Sequence, residues 1–276
     1  MLRNIKELEG CAIGATDGPI GHVKDFYFDD EGWVVRYLVV ETGHWLASRK
    51  VLISPIAVRG PDWEARLLPA SLTREQVRKS PEIDTDKPVT RQHELDHAAY
   101  YGYPYYWGGG GLWGDGMYPN LLLPGYGGFG SDAASRSEGE YAYAKREAAR
   151  HRDDDPHLRS CNAVAGYHLH ATDGEIGHVE SLLIDDRTWA ILYMVVDTSN
   201  WWGGQRVLIA PSWIREVSWF DSKVTVELTR QAVKDAPAYD PAMPLDRRHE
   251  MLLYKHYGRP GYRADAEILE TDIVRI

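Results

Sequence analysis

The sequence predicts a mainly β protein made of two small β-barrels in tandem, each followed by short α-helices. The first observation is an internal repeat, because ATDGPIGHV at residues 15–23 returns as ATDGEIGHV at residues 171–179. The second is that the repeat continues without a gap at an offset of 156 positions, which takes Asp17 onto Asp173. The third is a series of short apolar segments separated by tight turns. A module of roughly 100 residues is therefore written twice.

Each copy begins with a predicted β-hairpin. Asp17-Gly18 and Asp173-Gly174 suit its tight turn, because Asp and Gly tolerate the positive φ angles found there. The following segment, residues 33–41, is apolar at nearly every position, which predicts a strand covered on both faces. Five or six short strands per copy indicate a small barrel. The remaining strands are predicted at 49–53, 56–58 and about 64–69, with counterparts at 205–209, 213–218 and 223–228.

Two short helices are predicted after each barrel. Thr73 is expected to cap the first helix of the first copy, and Thr90 and Asp246 are expected to cap the second helix of each copy. One apolar stripe on this second helix is expected to pack on the barrel. The stripe has the same i, i+3, i+6 spacing in both copies: Leu95, Ala98 and Tyr101, and Met251, Tyr254 and Tyr257.

These elements predict four segments. Residues 1–102 form the first barrel with its helices, and residues 158–261 form the second. Residues 103–157 form a linker that is rich in glycine and aromatic residues at first and charged afterwards. Residues 262–276 form a C-terminal tail.

Composition limits the classes of partner. The chain of 276 residues has a formal net charge of −10 and no run of basic residues, so nucleic-acid binding is not expected. The sequence shows no signal peptide and no transmembrane segment, so we expect a protein of the bacterial cytoplasm. Cys11 and Cys161 occupy non-equivalent places in the two copies, which favours neither a disulfide framework nor a thiolate metal site.

With these features in place, the chain resembles the PRC-barrel family. The resemblance is carried by the pattern ATDGxIGHVxDFxxDDxxWxxRYLVVxT, by KVLISP and LTREQV, and by RQHE followed by YYGYPYYW. It implies the fold of the cytoplasmic domain of the photosynthetic reaction-centre H subunit and of the C-terminal domain of the ribosome maturation factor. In both proteins the barrel docks onto partners.

The resemblance therefore implies a non-enzymatic scaffold or adaptor that binds proteins through its barrels, without identifying a partner. An alternative, implied by the resemblance alone, is a peripheral component of photosynthetic or electron-transport complexes. No membrane helix precedes the barrel in this sequence, in contrast to the reaction-centre subunit. Neither of the two known functions transfers by fold alone.

One motif suggests chemistry. The segment HELDH at residues 93–97 has the H-E-x-x-H spacing that places two zinc-binding imidazoles, His93 and His97, beside a general base, Glu94. The second copy reads HEMLL and has Leu253 in place of the second histidine. The shared His-Glu pair is better explained by helix capping or packing. A zinc-dependent hydrolase is thus the least favoured alternative, and no catalytic, cofactor-binding or metal-binding residue and no cofactor is predicted.

Three tryptophans are the candidate interaction surface. Trp45, Trp201 and Trp202 lie in loops between two strands, where large rings either pack against the barrel or face a partner. An interface there is expected to join the two barrels of one chain or two copies in a homodimer. The acidic pairs at 29–30 and 185–186 are interpreted as solvated turn formers, and His22 and His178 as packed or hydrogen-bonded structural residues.

Overall fold

The computed structural model describes residues 1–84, 88–107, 109–122, 157–198, 204–243 and 245–259. Strands make up more of this part of the chain than helices do, so the predicted mainly β class is confirmed. The strands form two sheets. The pairings between the described strands close neither sheet into a barrel.

The described residues of the first half of the chain form six strands and three α-helices. The strands are β1 (Leu2–Asn4), β2 (Ala12–Ala15), β3 (Gly18–Asp29), β4 (Val34–Thr42), β5 (Lys50–Ile53) and β6 (Leu67–Pro69). The helices are α1 (Ile5–Leu8), α2 (Arg74–Lys79) and α3 (Arg91–Tyr101).

The second half contains seven strands and three helices among its described residues. The strands are β7 (Leu158–Ser160), β8 (His168–Ala171), β9 (Gly174–Asp185), β10 (Ile191–Asp197), β11 (Arg206–Ile209), β12 (Ile214–Ser218) and β13 (Lys223–Val226). The helices are α4 (Cys161–Val164), α5 (Arg230–Lys234) and α6 (Arg247–His256). The element order of the first half therefore recurs with one strand, β12, added, and α6 begins 156 positions after α3.

The chain divides into two compact units. Unit 1 contains Met1, Arg3–Ala163 and Ile184–Ile191, and unit 2 contains Leu2, Val164–Leu183 and Leu192–Ile276. In unit 1 the strand order is β5-β4-β3-β2-β6, and β7 pairs antiparallel with β3. The sheet of unit 2 has the order β11-β10-β9-β8-β13-β12, with β8 and β13 parallel. The predicted boundaries of the barrels, linker and tail stay a prediction.

The buried core of each unit includes the strands of a long β-hairpin. Strand β4 is buried along nearly its whole length, which confirms the prediction of a strand covered on both faces. Such a strand follows from its run of valines with Tyr37 and Leu38, since β-branched and aromatic side chains suit a buried sheet. Strand β10 has the same role in unit 2, with six buried residues in succession.

The repeated nonapeptide is a structural hairpin. Thr73 caps α2 as predicted, and the Asp17 carboxylate accepts the backbone N–H of Arg74, the first residue of that helix, at 2.8 Å. The equivalent bond from Arg230 to Asp173 is 2.7 Å long. At Gly21 a Cβ would collide with the backbone carbonyl of the neighbouring strand, so a glycine is required. His22 is exposed on β3, so the packed alternative of its interpretation is wrong, and the hydrogen-bonded alternative stays a prediction.

The helix predictions succeed at their caps and fail at one position of the stripe. Thr90 caps α3 and Asp246 caps α6, as predicted. Leu95 is buried on α3, whereas its counterpart Met251 on α6 is 61% exposed. The expectation that Met251 packs on the barrel is therefore wrong. The segment that covers Leu95 follows α3 in the chain, and its counterpart after α6 lies outside the described residues.

Candidate interaction surfaces

The Glu94 of the HELDH segment is an interior anchor of unit 1. Its side chain is fully buried on α3. The Tyr106 hydroxyl donates a hydrogen bond to this carboxylate at 2.6 Å. The same carboxylate lies 3.3 Å from Arg91 and 2.7 Å from the Nε2 of His157. Burial, with Glu94 as the second cause, holds the pKa of Tyr106 well above its ordinary range. Glu94 is thus engaged on both oxygens.

His97 is engaged in the core as well. Its Nε2 lies 3.1 Å from the backbone carbonyl of Leu52, and a carbonyl accepts, so this nitrogen carries the proton. Burial lowers the pKa of His97 to about 4. Within the described ranges, no group of three or more His, Cys, Asp or Glu side chains is placed to hold a metal ion. His97 therefore serves as a neutral packing residue.

The same buried glutamate occurs in unit 2. Glu250 on α6 is buried and accepts a hydrogen bond from the Tyr193 hydroxyl at 3.1 Å. Tyr193 lies on β10 at the position that Tyr37 has on β4. Burial is the main cause that raises the pKa of Tyr37, and Glu94 raises it further, in part through a hydrogen bond. In both units, then, the glutamate of the His-Glu pair joins the helix to a central strand.

The acidic pair at 29–30 is not solvated. Asp29 is buried, and its carboxylate lies 2.6 Å from the guanidinium of Arg36. The Arg36 guanidinium stacks over the ring of Tyr106 at 3.8 Å. Asp30 accepts a hydrogen bond from Arg159 at 2.8 Å. The expectation that this pair is solvated is therefore wrong, because cations held by the fold neutralise both carboxylates. Asp29 is still a turn former, since its carboxylate accepts the backbone N–H of Gly32 at 2.5 Å. Asp185 accepts two backbone N–H groups of its own turn, as a turn former does.

Trp45 packs within unit 1. Its indole N–H donates to the carbonyl of Ile20 at 2.7 Å, and the guanidinium of Arg74 lies 4.3 Å from the ring centroid. One face of the ring is therefore used in a cation–π contact. Trp201 and Trp202 lie outside the described residues. A role of these three rings in an interface stays a prediction.

One turn of unit 2 presents an aromatic ring to solvent. Phe220, between β12 and β13, is 98% exposed. The turn is fixed, because the Ser218 hydroxyl donates to the carboxylate of Asp221 at 2.7 Å and accepts the backbone N–H of Asp221. Trp219 lies beside Tyr167, with ring centroids 6.1 Å apart. The equivalent of Phe220 in the first copy is Glu64.

A second apolar surface lies on α6. Arg248, Met251, Leu252 and Lys255 are all exposed, at i, i+3, i+4 and i+7, and we call these four residues the α6 face. Leu252 is 49% exposed, and its counterpart on α3 is Asp96. The buried stripe of α6 lies on another side of the helix and consists of Glu250, Leu253, Tyr254 and Tyr257. The outer side of α6 therefore carries an apolar pair of its own, flanked by two cations.

Reasoning from one copy at a time missed Phe220, Met251 and Leu252. The signal that could have found two of them is the comparison of the copies, because Phe220 replaces Glu64 and Leu252 replaces Asp96. An acidic residue at the equivalent position indicates that the fold does not bury this site. Met251 replaces an apolar residue, so the sequence alone gives no such signal for it.

Comparison with known proteins identifies one domain. A family model described as PRC-barrel domain matches residues 2–64, which include β1 to β5 and the first nonapeptide. None of the curated proteins that were compared with the chain matches it. No helix among the described residues has the length and apolar character needed to cross a membrane. The predicted resemblance to the PRC-barrel family is therefore confirmed over residues 2–64.

Proposed function

We propose that the chain is a non-enzymatic scaffold of two PRC-type barrels in tandem, and that it binds a protein partner through Phe220. A PRC-barrel domain in general suggests a protein-interaction or scaffold module. The second barrel is supported by the elements of the first half that recur in the second half. The observation that carries the proposal is the almost complete exposure of Phe220 on a fixed turn.

An exposed phenylalanine on a fixed turn suits an anchor. Burying such a side chain in a partner contributes about 1.5–3 kcal/mol, which is comparable to the contribution of a hot-spot residue. A turn already held by Ser218 and Asp221 loses little conformational freedom on binding, so more of this energy appears as affinity. The first copy has Glu64 at this position, which assigns the anchor to unit 2 alone.

A non-enzymatic role is supported by the use of the polar side chains. The Glu94 carboxylate, the general base of the HELDH motif, is held by Tyr106 and His157, and the Nε2 of His97 is bonded to the Leu52 carbonyl. The net charge of −10 supports a protein partner rather than a nucleic acid, and the proposal keeps the bacterial cytoplasm as the location.

The test is affinity capture with the full chain and a matched pair of variants. Phe220→Glu gives unit 2 the residue of the first copy, and Leu121→Glu changes an apolar side chain that is also exposed, at 63%. We expect at least one protein to be captured from native lysate at physiological salt by the wild type and by Leu121→Glu, and to be reduced at least tenfold with Phe220→Glu. Equal thermal melting of the three proteins shows that the fold is intact. The proposal is contradicted if Phe220→Glu captures as much of the protein as the wild type does, or if the wild type captures no protein.

A further inference from the structure

The side of α3 that is equivalent to the α6 face is partly covered by the protein. On α3, Leu95 is completely buried because Tyr105 and Trp107 pack against it. The guanidinium of Arg91 lies 4.5 Å from the centroid of the Trp107 ring, which completes this cover. All of these covering rings belong to the chain that leaves α3. In unit 1, the segment that follows α3 therefore covers the side of the helix that carries Leu95.

The chain leaves α6 by the same geometry. Gly102 and Gly258 both adopt positive φ, of +68° and +62°. Tyr103 donates its backbone N–H to Ala98 at 2.9 Å, and Arg259 donates its own to Tyr254 at 3.0 Å, so each bond spans five residues. Proline follows at the next position in both copies. The two helices therefore end with the same backbone geometry.

The chain that follows α6 is residues 260–276, which lie outside the described residues. Helix α6 has ten residues and a length of about 15 Å. Residues 260–267 alone can extend about 26 Å, so the rest of the segment can reach any point of the α6 face.

The composition of this segment matches the α6 face. It has four acidic side chains against two basic ones, whereas the α6 face has Arg248 and Lys255 at its ends. Its apolar residues Leu269, Ile273 and Ile276 recur at i, i+4 and i+7, the spacing of one side of a helix. The acidic positions are Asp265, Glu267, Glu270 and Asp272.

We propose that residues 260–276 of this chain bind the α6 face, with their apolar side chains on Met251 and Leu252 and their carboxylates beside Arg248 and Lys255. The segment takes the place that Tyr105 and Trp107 have on α3. A protein that binds this side of unit 2 then has to displace the segment first. The proposal concerns a different surface from Phe220, so it stands or fails separately from the proposed scaffold function.

Hydrogen exchange of the full chain tests the proposal, measured by mass spectrometry on peptides from residues 263–276. In the wild type we expect these amides to exchange at least tenfold more slowly than an unstructured peptide of the same sequence. The double variant Arg248→Glu, Lys255→Glu is expected to remove this protection, because the two new glutamates repel the acidic side chains of the segment. Adding Glu267→Lys and Glu270→Lys to that variant is expected to restore it.

A matched control is Arg215→Glu, which reverses another exposed charge of unit 2 and is expected to leave the protection unchanged. We expect the variants to fold, since all of the changed side chains outside the segment are exposed. Circular dichroism checks this expectation. Exchange at the unstructured rate in the wild type overturns the proposal. Protection that grows with protein concentration also overturns it, because the α6 face then binds a second copy. Protection that survives the double charge reversal has the same consequence.

Discussion

Replacing His97 with leucine is expected to remove an acid-induced loss of stability from unit 1. His97 is only 2% exposed, and burial lowers its pKa from the ordinary value of 6.5 to about 4. The unfolded chain therefore binds a proton at this residue below about pH 6.5, whereas the folded protein binds it only near pH 4. Since the unfolded state binds more protons in this window, the free energy of unfolding falls as the pH falls through it.

The size of the effect follows from the two pKa values. One pKa unit corresponds to 1.36 kcal/mol, so the window from pH 6.5 to pH 4 contributes about 3 kcal/mol, of which about 2 kcal/mol is lost by pH 5. Leu253 occupies the equivalent buried position of α6, so leucine suits this site in the fold. The variant also loses the hydrogen bond to Leu52, at a cost of about 1–3 kcal/mol that does not depend on pH.

The dependence on pH, rather than the stability at one pH, is therefore the measured quantity. Urea unfolding followed by circular dichroism between pH 7 and pH 5 gives it for the wild type and for His97→Leu. We expect the variant to lose about 2 kcal/mol less than the wild type over this range. His22→Leu, which changes an exposed histidine of the same unit, serves as the control. Equal losses in the wild type and in His97→Leu would refute the reasoning.

Three further changes test the packing of unit 1 by urea unfolding at pH 7. Arg36→Leu leaves Asp29 buried without its cation and is expected to cost about 3–5 kcal/mol, with a smaller loss when Asp29→Asn is added. Gly21→Ala forces a Cβ against a backbone carbonyl and is expected to cost about 3 kcal/mol or more, whereas Gly14→Ala on the same hairpin has room and stays within about 1 kcal/mol. Asp17→Ala leaves the N-cap Thr73 in place but removes the acceptor of the first backbone N–H of α2, and it is expected to cost about 1 kcal/mol. A neutral Gly21→Ala or Arg36→Leu would contradict the corresponding packing argument.

The elements that the sequence predicts well depend on neighbouring residues. The Asp17-Gly18 turn, the buried strand β4 and the cap at Thr90 follow from turn chemistry, from an unbroken apolar run and from a hydroxyl before a helix. Each of these signals lies within a few positions of the structure that it specifies. The two copies repeat them, which strengthens each prediction, since a chance pattern would have to occur twice.

The features that the sequence does not predict depend on residues far apart in the chain. Glu94 meets His157 across 63 positions, and Asp30 meets Arg159 across 129 positions. No local sequence pattern indicates such a pair, so the sequence alone favours solvated carboxylates for acidic residues in a turn. The burial of Leu95 has the same reason, because the rings that pack against it, Tyr105 and Trp107, lie outside its own helix.

The duplication separates what the fold requires from what one unit adds. Glu94 and Glu250 do the same work on their helices, so their presence in both copies is explained by packing and needs no further function. A residue that differs between the copies has no such explanation when it is exposed. Phe220 against Glu64 is a difference of this kind, because a ring that is 98% exposed contributes little to the packing of unit 2. Burial of the ring in a protein partner, as proposed, gives this residue a role that the packing of unit 2 does not.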